Sequence, residues 1–214
     1  MTFLLISKIR RLFLLDPVIA LFFIFLTLYV FTAGGHFYNP DEILSYATTQ
    51  AIAEKGSLNI AFAQPLIQSF GGTLNGHIYS QHGLLEPLLA LPLFMLGTLL
   101  HVEQWRVVTL LYSPTITSAS VCLVYLISRR LGRTATLNVL LSLLYGTATL
   151  AWPYSKFFFE LPTASLMLLV AVWFLLDPNQ PKRSTVLSGL FTTLSVFAAI
   201  TQTLALPCLL AYVA

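Results

Sequence analysis

Hydrophobic positions fall into long runs separated by short polar clusters. The runs predict membrane-crossing helices at about 12–33, 106–128, 134–151, 161–176 and 184–201, with a partial one at 203–214. The first run follows Lys8, Arg10 and Arg11 and is interrupted only by Asp16-Pro17. A cleaved signal peptide has an apolar region of roughly 7–15 residues, so this run reads as a retained anchor with a cytoplasmic N-terminus. The small residues Ala33-Gly34-Gly35 are the alternative, a cleavage site. The last run stops within apolar sequence and too short to cross, so further spans are expected in the intact protein.

Residues 34–105 are expected to form an outer loop carrying interfacial or re-entrant helices and a short hairpin, its polar part being 34–82. Asn39-Pro40-Asp41-Glu42 reads as a helix start. Asn39 can cap, Pro40 suits the first helical position, and the two acids favour the positive end of the helix dipole. The helix should run from Pro40 to about Lys55 and stop at Gly56. Ile43, Tyr46, Ala47 and Gln50 share one face, which predicts a helix lying along the membrane surface. Asn75-Gly76 between short mixed runs predicts a two-residue hairpin that returns Tyr79-Ser80-Gln81-His82 toward the membrane.

The run 83–100 is long enough to span but contains Glu86, Pro87 and Pro92. If it does not span, the cytoplasmic side holds Lys8, Arg10, Arg11, Arg129, Arg130, Arg133, Lys182 and Arg183, eight of the eleven basic residues. Six of the eight acids (Asp41, Glu42, Glu54, Glu86, Glu103, Glu160) then lie outside. If it spans, only Lys8, Arg10, Arg11, Arg106 and Lys156 are inside. The positive-inside rule therefore favours a non-spanning segment, and places the loop 152–160, with Glu160, on the same face as Asp41 and Glu42.

Composition agrees with a membrane protein: 57% of the 214 residues are hydrophobic and 9% charged, against about a quarter charged in soluble domains. This excludes an ordinary soluble domain, disorder and a disulfide scaffold. The net charge of +3 comes from clusters between spans, so it reads as topology rather than as a nucleic-acid surface. Cys122 and Cys208 sit in apolar stretches without metal-ligand spacing. No internal repeat is visible. The fold class expected is an all-α, multi-span helical bundle, integral to a bacterial plasma membrane.

The candidate chemistry is acidic. Asp41 and Glu42 are accounted for equally by a helix first turn and a capping box, but Glu160 adds a third carboxylate on their face. His36, His77, His82 and His101 form no zinc-type helical pair. Lys156 can snorkel or bind phosphate, snorkelling being the commoner fate at a span end. Tyr38, Trp152 and Tyr154 fit an interfacial aromatic belt.

The order of a first span, an outer loop opening on Asp41-Glu42, Asn75-Gly76-His77-Ile78-Tyr79-Ser80, a Gly/Pro/Leu-rich helix, Arg129-Arg130-Leu131-Gly132, and Trp152-Pro153-Tyr154-Ser155-Lys156 with Glu160 resembles the GT-C glycosyltransferases. Within them it is most similar to the protein O-mannosyltransferase and aminoarabinose-transferase-like branch. The resemblance extends over essentially the whole chain as the N-terminal part of a longer pattern. It implies a membrane enzyme that moves a sugar from a polyprenyl-phosphate donor to an acceptor on the non-cytoplasmic face. It implies Asp41 as catalytic base, Glu42 as its neighbour, and Glu160 in metal or acceptor binding. Glu42 and Glu160 are the candidate ligands of a divalent cation, Mg or Mn, and Lys156 and His82 the candidates for donor phosphate. Thr201-Gln202-Thr203 stands where the family commonly has a basic residue, and His82 where some relatives have a loop lysine.

A lipid-carried donor suits an outward-facing site, which has no access to cytoplasmic nucleotide sugars. The sequence also has no Gly-rich phosphate loop after a strand. Polyprenyl phosphate leaves without a general acid, so one carboxylate can take the acceptor proton while a cation or Lys156 meets the phosphate charge. The expected partners are that donor and membrane lipid, and no nucleic acid. Two other readings are a transporter or lipid flippase, which usually shows charges or breaks within several spans, and a non-catalytic scaffold indifferent to loss of Asp41.

Overall fold

The computed structural model describes residues 16–63, 72–177, 181–207 and 209. These are predominantly helical: α1 (Pro17–Thr32), α2 (Pro40–Lys55), β1 (Gly72–Leu74), β2 (His77–Tyr79), α3 (Leu85–Leu99), α4 (Gln104–Arg130), α5 (Ala135–Ala148), α6 (Ala151–Tyr154), α7 (Glu160–Leu175) and α8 (Pro181–Ala198). Single 3₁₀ turns cover Ala61–Ala63 and Ile200–Ala205. The basic cluster at 8–11, the start of the 12–33 run, and residues 208 and 210–214 of the last run, Cys208 among them, lie outside the described residues.

Helices occupy all five stretches read as full spans. One of them, the 27-residue α4, with a mean hydropathy of 1.6 over an 18-residue window, is long and apolar enough to cross a membrane. At about 1.5 Å per residue it extends roughly 40 Å. The helices α1, α5 and α7 are apolar but shorter, with 16, 14 and 16 residues. Within the described residues, α1 begins at Pro17, and Asp16 caps it by accepting the Val18 backbone N–H at 3.2 Å.

α4 is the central post. Its lower half packs on α1 through Val121, Cys122 and Tyr125 against Leu21, Phe25 and Tyr29. Polar atoms close this apolar seam: Tyr29 Oη donates to the Gly146 carbonyl at 2.8 Å, and Cys122 Sγ to the Val18 carbonyl at 3.3 Å. The Ser- and Thr-rich face of α4 is buried, which lets neighbouring backbones approach closely, as small residues do between membrane helices. At the far end Arg130 lies 4.3 Å over the Trp173 ring, donates to the Trp173 carbonyl and pairs with Asp177 at 3.6 Å, tying α4 to α7. α7 and α8 pack side by side, with Ser195 Oγ donating to the Ala164 carbonyl at 2.7 Å.

The loop 34–105 is built as a small second layer. Asn39 caps α2 through the Glu42 N–H at 3.0 Å, and Gly56 ends it in the left-handed conformation, φ +58°. The hairpin turns at Asn75-Gly76, both with positive φ (51° and 78°), pairing Gly72 with Tyr79 and Leu74 with His77. Asn59 fastens it, accepting the Ile78 N–H at 3.1 Å, and Leu44, Ala47, Ala51, Ile60 and Ile78 form a core beneath.

The sequence reading lays α2 along the membrane surface; within the protein one side of it is enclosed. Glu42, Leu44, Ser45, Ala47, Thr48, Thr49 and Ala51 are all buried, because α2 packs against both α3 and the hairpin layer. Its alanines and threonines reflect close packing against protein.

α3 carries the chain away from His82, and α4 brings it straight back. The turn between them is tight: a Cβ on Gly97 would lie 2.8 Å from Gln104 Cα. Ala90 and Phe94 of α3 then pack on Val108 and Tyr112 of α4. Tyr112 Oη and Thr163 Oγ1 meet at 2.8 Å, and Ser113 Oγ donates to the Phe157 carbonyl, so α4 returns to the level of the 155–163 segment.

Candidate functional site

Asp41, His82 and Glu160 come from three separate segments and meet. Asp41 sits in the first turn of α2, His82 in the loop after β2, and Glu160 at the first position of α7. His82 Nε2 is 3.3 Å from Asp41 Oδ1, and His82 Nδ1 is 3.3 Å from Glu160 Oε2. The His82 side chain is 11% exposed, Glu160 16% and Asp41 37%, so Asp41 is the member most open to solvent.

Local chemistry places each group. Both carboxylates occupy helix first turns, where unpaired N–H groups favour negative charge. The His82 loop is set by its own N–H donating to Ser80 Oγ at 3.1 Å, and by the Gly83 N–H donating to Glu160 Oε2 at 3.4 Å. Gly83 is required there: a Cβ would lie 2.2 Å from the Ala198 carbonyl oxygen and 2.4 Å from that of Phe197. The end of α8 therefore presses the loop onto Glu160, and Phe159 meets the His82 ring edge-on at 5.8 Å.

The hydrogen bond to Glu160 is the largest influence on the His82 pKa, which is raised above the ordinary histidine value by that bond and by both carboxylate charges, with burial opposing. The shift favours the protonated imidazole, which lies between the two carboxyl groups. Its Nε2 is buried and faces Asp41 Oδ1, the acceptor nearest to it in the cluster.

Glu42 is placed differently from Asp41. It is fully buried, and its carboxylate accepts the Tyr38 N–H on Oε1 and the Phe158 N–H on Oε2, each at 2.9 Å. Burial pushes its pKa up and those backbone N–H groups oppose the rise. Each oxygen thus accepts one backbone N–H and keeps a second lone pair. Among the described residues no group of three or more His, Cys, Asp and Glu side chains is arranged to hold a metal ion. In the Asp41–His82–Glu160 cluster the imidazole itself fills the space between the acids. Lys156 is half-buried in the 155–159 loop; its backbone N–H donates to the Pro153 carbonyl at 3.2 Å, and its ammonium makes no ion pair among the described residues.

Two cavities flank the cluster. One of about 400 Å³ contains Asp41 and is walled by Asn39, Tyr154, Phe157 and Phe159. The other, about 550 Å³, contains His82 and Glu160 and is walled by Val196, Phe197 and Ile200. The cluster thus has one aromatic chamber and one aliphatic-rich chamber, with a different acid facing each.

One group that sequence reasoning missed lies nearby. Glu86, in the first turn of α3, is fully buried and neither carboxylate oxygen has a hydrogen-bond partner among the described residues. Burial drives its pKa well above the usual carboxylate range, which favours the protonated form. The signal available was an acid followed by Pro87 at the head of an otherwise apolar run.

No family model, curated protein or solved structure matches this chain.

Proposed function

We propose that the chain belongs to a multi-span membrane glycosyltransferase of the GT-C type, moving a sugar from a polyprenyl-phosphate donor to an acceptor on the non-cytoplasmic face. The observation that carries this reading is the Asp41–His82–Glu160 cluster, with Asp41 open to one cavity and His82 to another. Two-substrate transfer needs that arrangement: a base on the acceptor side and a positive charge on the leaving-group side.

Asp41 takes the proton of the acceptor hydroxyl as its oxygen attacks the anomeric carbon. The bond between that carbon and the phosphate oxygen breaks, and its electron pair leaves with the polyprenyl phosphate. The His82 ring borders the second cavity, and a positive charge on it meets the developing phosphate charge through space. Glu160 acts on His82, holding Nδ1–H and fixing the ring, as a second carboxylate orients a catalytic histidine elsewhere. Val196, Phe197 and Ile200 offer the apolar wall that a polyprenyl chain needs beside its phosphate. Lys156 stands as a reserve phosphate contact. The step as written needs no cation.

The test is transfer of labelled sugar from a polyprenyl-phosphate donor by the full-length protein in membranes. Asp41→Asn should slow it by about 100-fold or more, and Glu160→Gln should slow it and alter its pH profile. Unchanged transfer by both variants overturns the reading. That outcome would favour a transporter or a scaffold.

A further inference from the structure

The end of the bundle away from Asp41 gathers four helix ends: α4 and α7 finish there, and α5 and α8 begin. About 27 Å of helix separates Tyr112, level with the acid cluster, from Arg130 at the foot of α4, close to the roughly 30 Å of a bilayer's hydrocarbon core. Arg129, Arg130, Arg133, Lys182 and Arg183 all lie at this foot. Arg130 is committed to Trp173 and Asp177. Asp177 in turn shares a cavity of about 200 Å³ with Arg183, which brings the first turn of α8 beside the end of α4. Asp16, the other acid in this half of the molecule among the described residues, caps α1. Arg129, Arg133 and Lys182 are exposed and form no ion pair among the described residues.

Beyond these bases the surface turns apolar along two stripes. On α8, Lys182, Val186 and Leu190 follow at four-residue spacing and share one face, with Val186 71% and Leu190 51% exposed. On α5, beyond Arg133, the exposed Leu137, Leu141 and Leu144 line one face in the same way. Positive groups set over aliphatic stripes complement an anionic headgroup set over acyl chains. A free phosphate or a nucleic acid would use the bases and leave the stripes bare, and a zwitterionic lipid would bring an ammonium up to bases that repel it. We propose that this end of the bundle binds a bilayer phospholipid with an anionic headgroup, its phosphate among Arg129, Arg133 and Lys182 and its chains along α5 and α8. The site stands apart from the glycosyl-transfer reading and requires only that the bundle lies in a bilayer.

The test is native mass spectrometry of the full-length protein in detergent, titrated with phosphatidylglycerol or phosphatidylcholine carrying the same chains. Phosphatidylglycerol should be retained the more tightly, and excess inorganic phosphate should not displace it. Arg129→Gln combined with Arg133→Gln should weaken phosphatidylglycerol by about 25-fold, or about fivefold for each base near an anionic headgroup, and leave phosphatidylcholine unchanged. Lys55→Gln combined with Arg106→Gln removes as much charge from the far end and should leave both lipids unchanged. Should the first pair fold poorly, Lys182→Gln, on a different helix, should show the fivefold loss by itself. Equal retention of the two lipids, equal weakening by the two paired variants, or release of the lipid by inorganic phosphate overturns the proposal. The readout is lipid bound and not sugar transferred, so failure here leaves the glycosyl-transfer reading to its own test.

Discussion

The backbone N–H of Phe158 donates to Glu42 Oε2 at 2.9 Å, joining the first turn of α2 to the segment that leads into α7. Two residues beyond Phe158 stands Glu160, and one residue before Glu42 stands Asp41. Glu42 is therefore the bolt that holds the other two acids in reach of one histidine. Glu42→Ala leaves the Tyr38 and Phe158 N–H groups unpaired in a buried setting and should cost roughly 2–4 kcal/mol. Thermal unfolding of the purified protein should show that loss, and Asp41→Asn should not. Equal stability of the two variants would refute the division of labour.

The His82 contribution has a defined pH window. Its folded pKa lies above the unfolded one, chiefly through the hydrogen bond to Glu160. The stability it supplies is fully present below about 6.5 and is lost as pH rises through the folded value. Unfolding temperature followed across neutral and alkaline pH should fall for wild type, and His82→Ala should flatten that part of the curve. An unchanged slope in the variant would contradict the ion pairs.

Glu86 carries the opposite consequence for a carboxyl. The unfolded chain releases this proton near the ordinary Glu value, while the folded protein keeps it to much higher pH. Stability therefore declines as pH rises above the unfolded value, until the folded pKa is passed. Glu86→Gln, neutral and of the same shape, should remove the decline and unfold at a higher temperature than wild type at neutral pH. A variant less stable than wild type there would show that the carboxylate is ionised and paired.

Gly83 leaves no room for a methyl group beneath the end of α8. Gly83→Ala should push the loop off Glu160, cost about 1–3 kcal/mol and lower transfer further than its stability loss explains, since His82 is displaced with it. Full activity in this variant would mean that the contact with α8 does not position His82.

Treatment with a chelator separates two sources of positive charge. With His82 serving the phosphate, transfer should survive removal of divalent cations. Loss of transfer restored by Mg²⁺ or Mn²⁺ would show that a cation is required.

The parts of this structure that were legible in the sequence are local. The bounds of α2 follow from Asn39, Pro40 and Gly56, and the hairpin from Asn75-Gly76, because caps and turns depend on residues within a few positions of one another. The helical stretches follow from long apolar runs. The meeting of Asp41 with Glu160 could be approached only through the distribution of basic residues, which addresses sides of a membrane and not distances. What was not legible depends on distant partners. Glu42 looks like a capping-box acid until Phe158 arrives from over a hundred residues away, and Gly83 looks like an ordinary loop glycine until the Ala198 carbonyl is placed against it. The enclosed side of α2 was not legible because its Ala and Thr residues suit a tight helix contact as well as a polar surface.

The account stands on Asp41 and Glu160 sharing one face of the membrane, close enough for a single imidazole to bridge them. In a full-length protein with Cys122 and Cys208 replaced by serine, Asp41→Cys and Glu160→Cys combined should be linked by a short bifunctional thiol reagent. An impermeant form applied from the non-cytoplasmic side should suffice, while a cysteine at position 131 reacts only from the cytoplasm. Absence of the link, with positions 41 and 160 labelled from opposite sides, would contradict it.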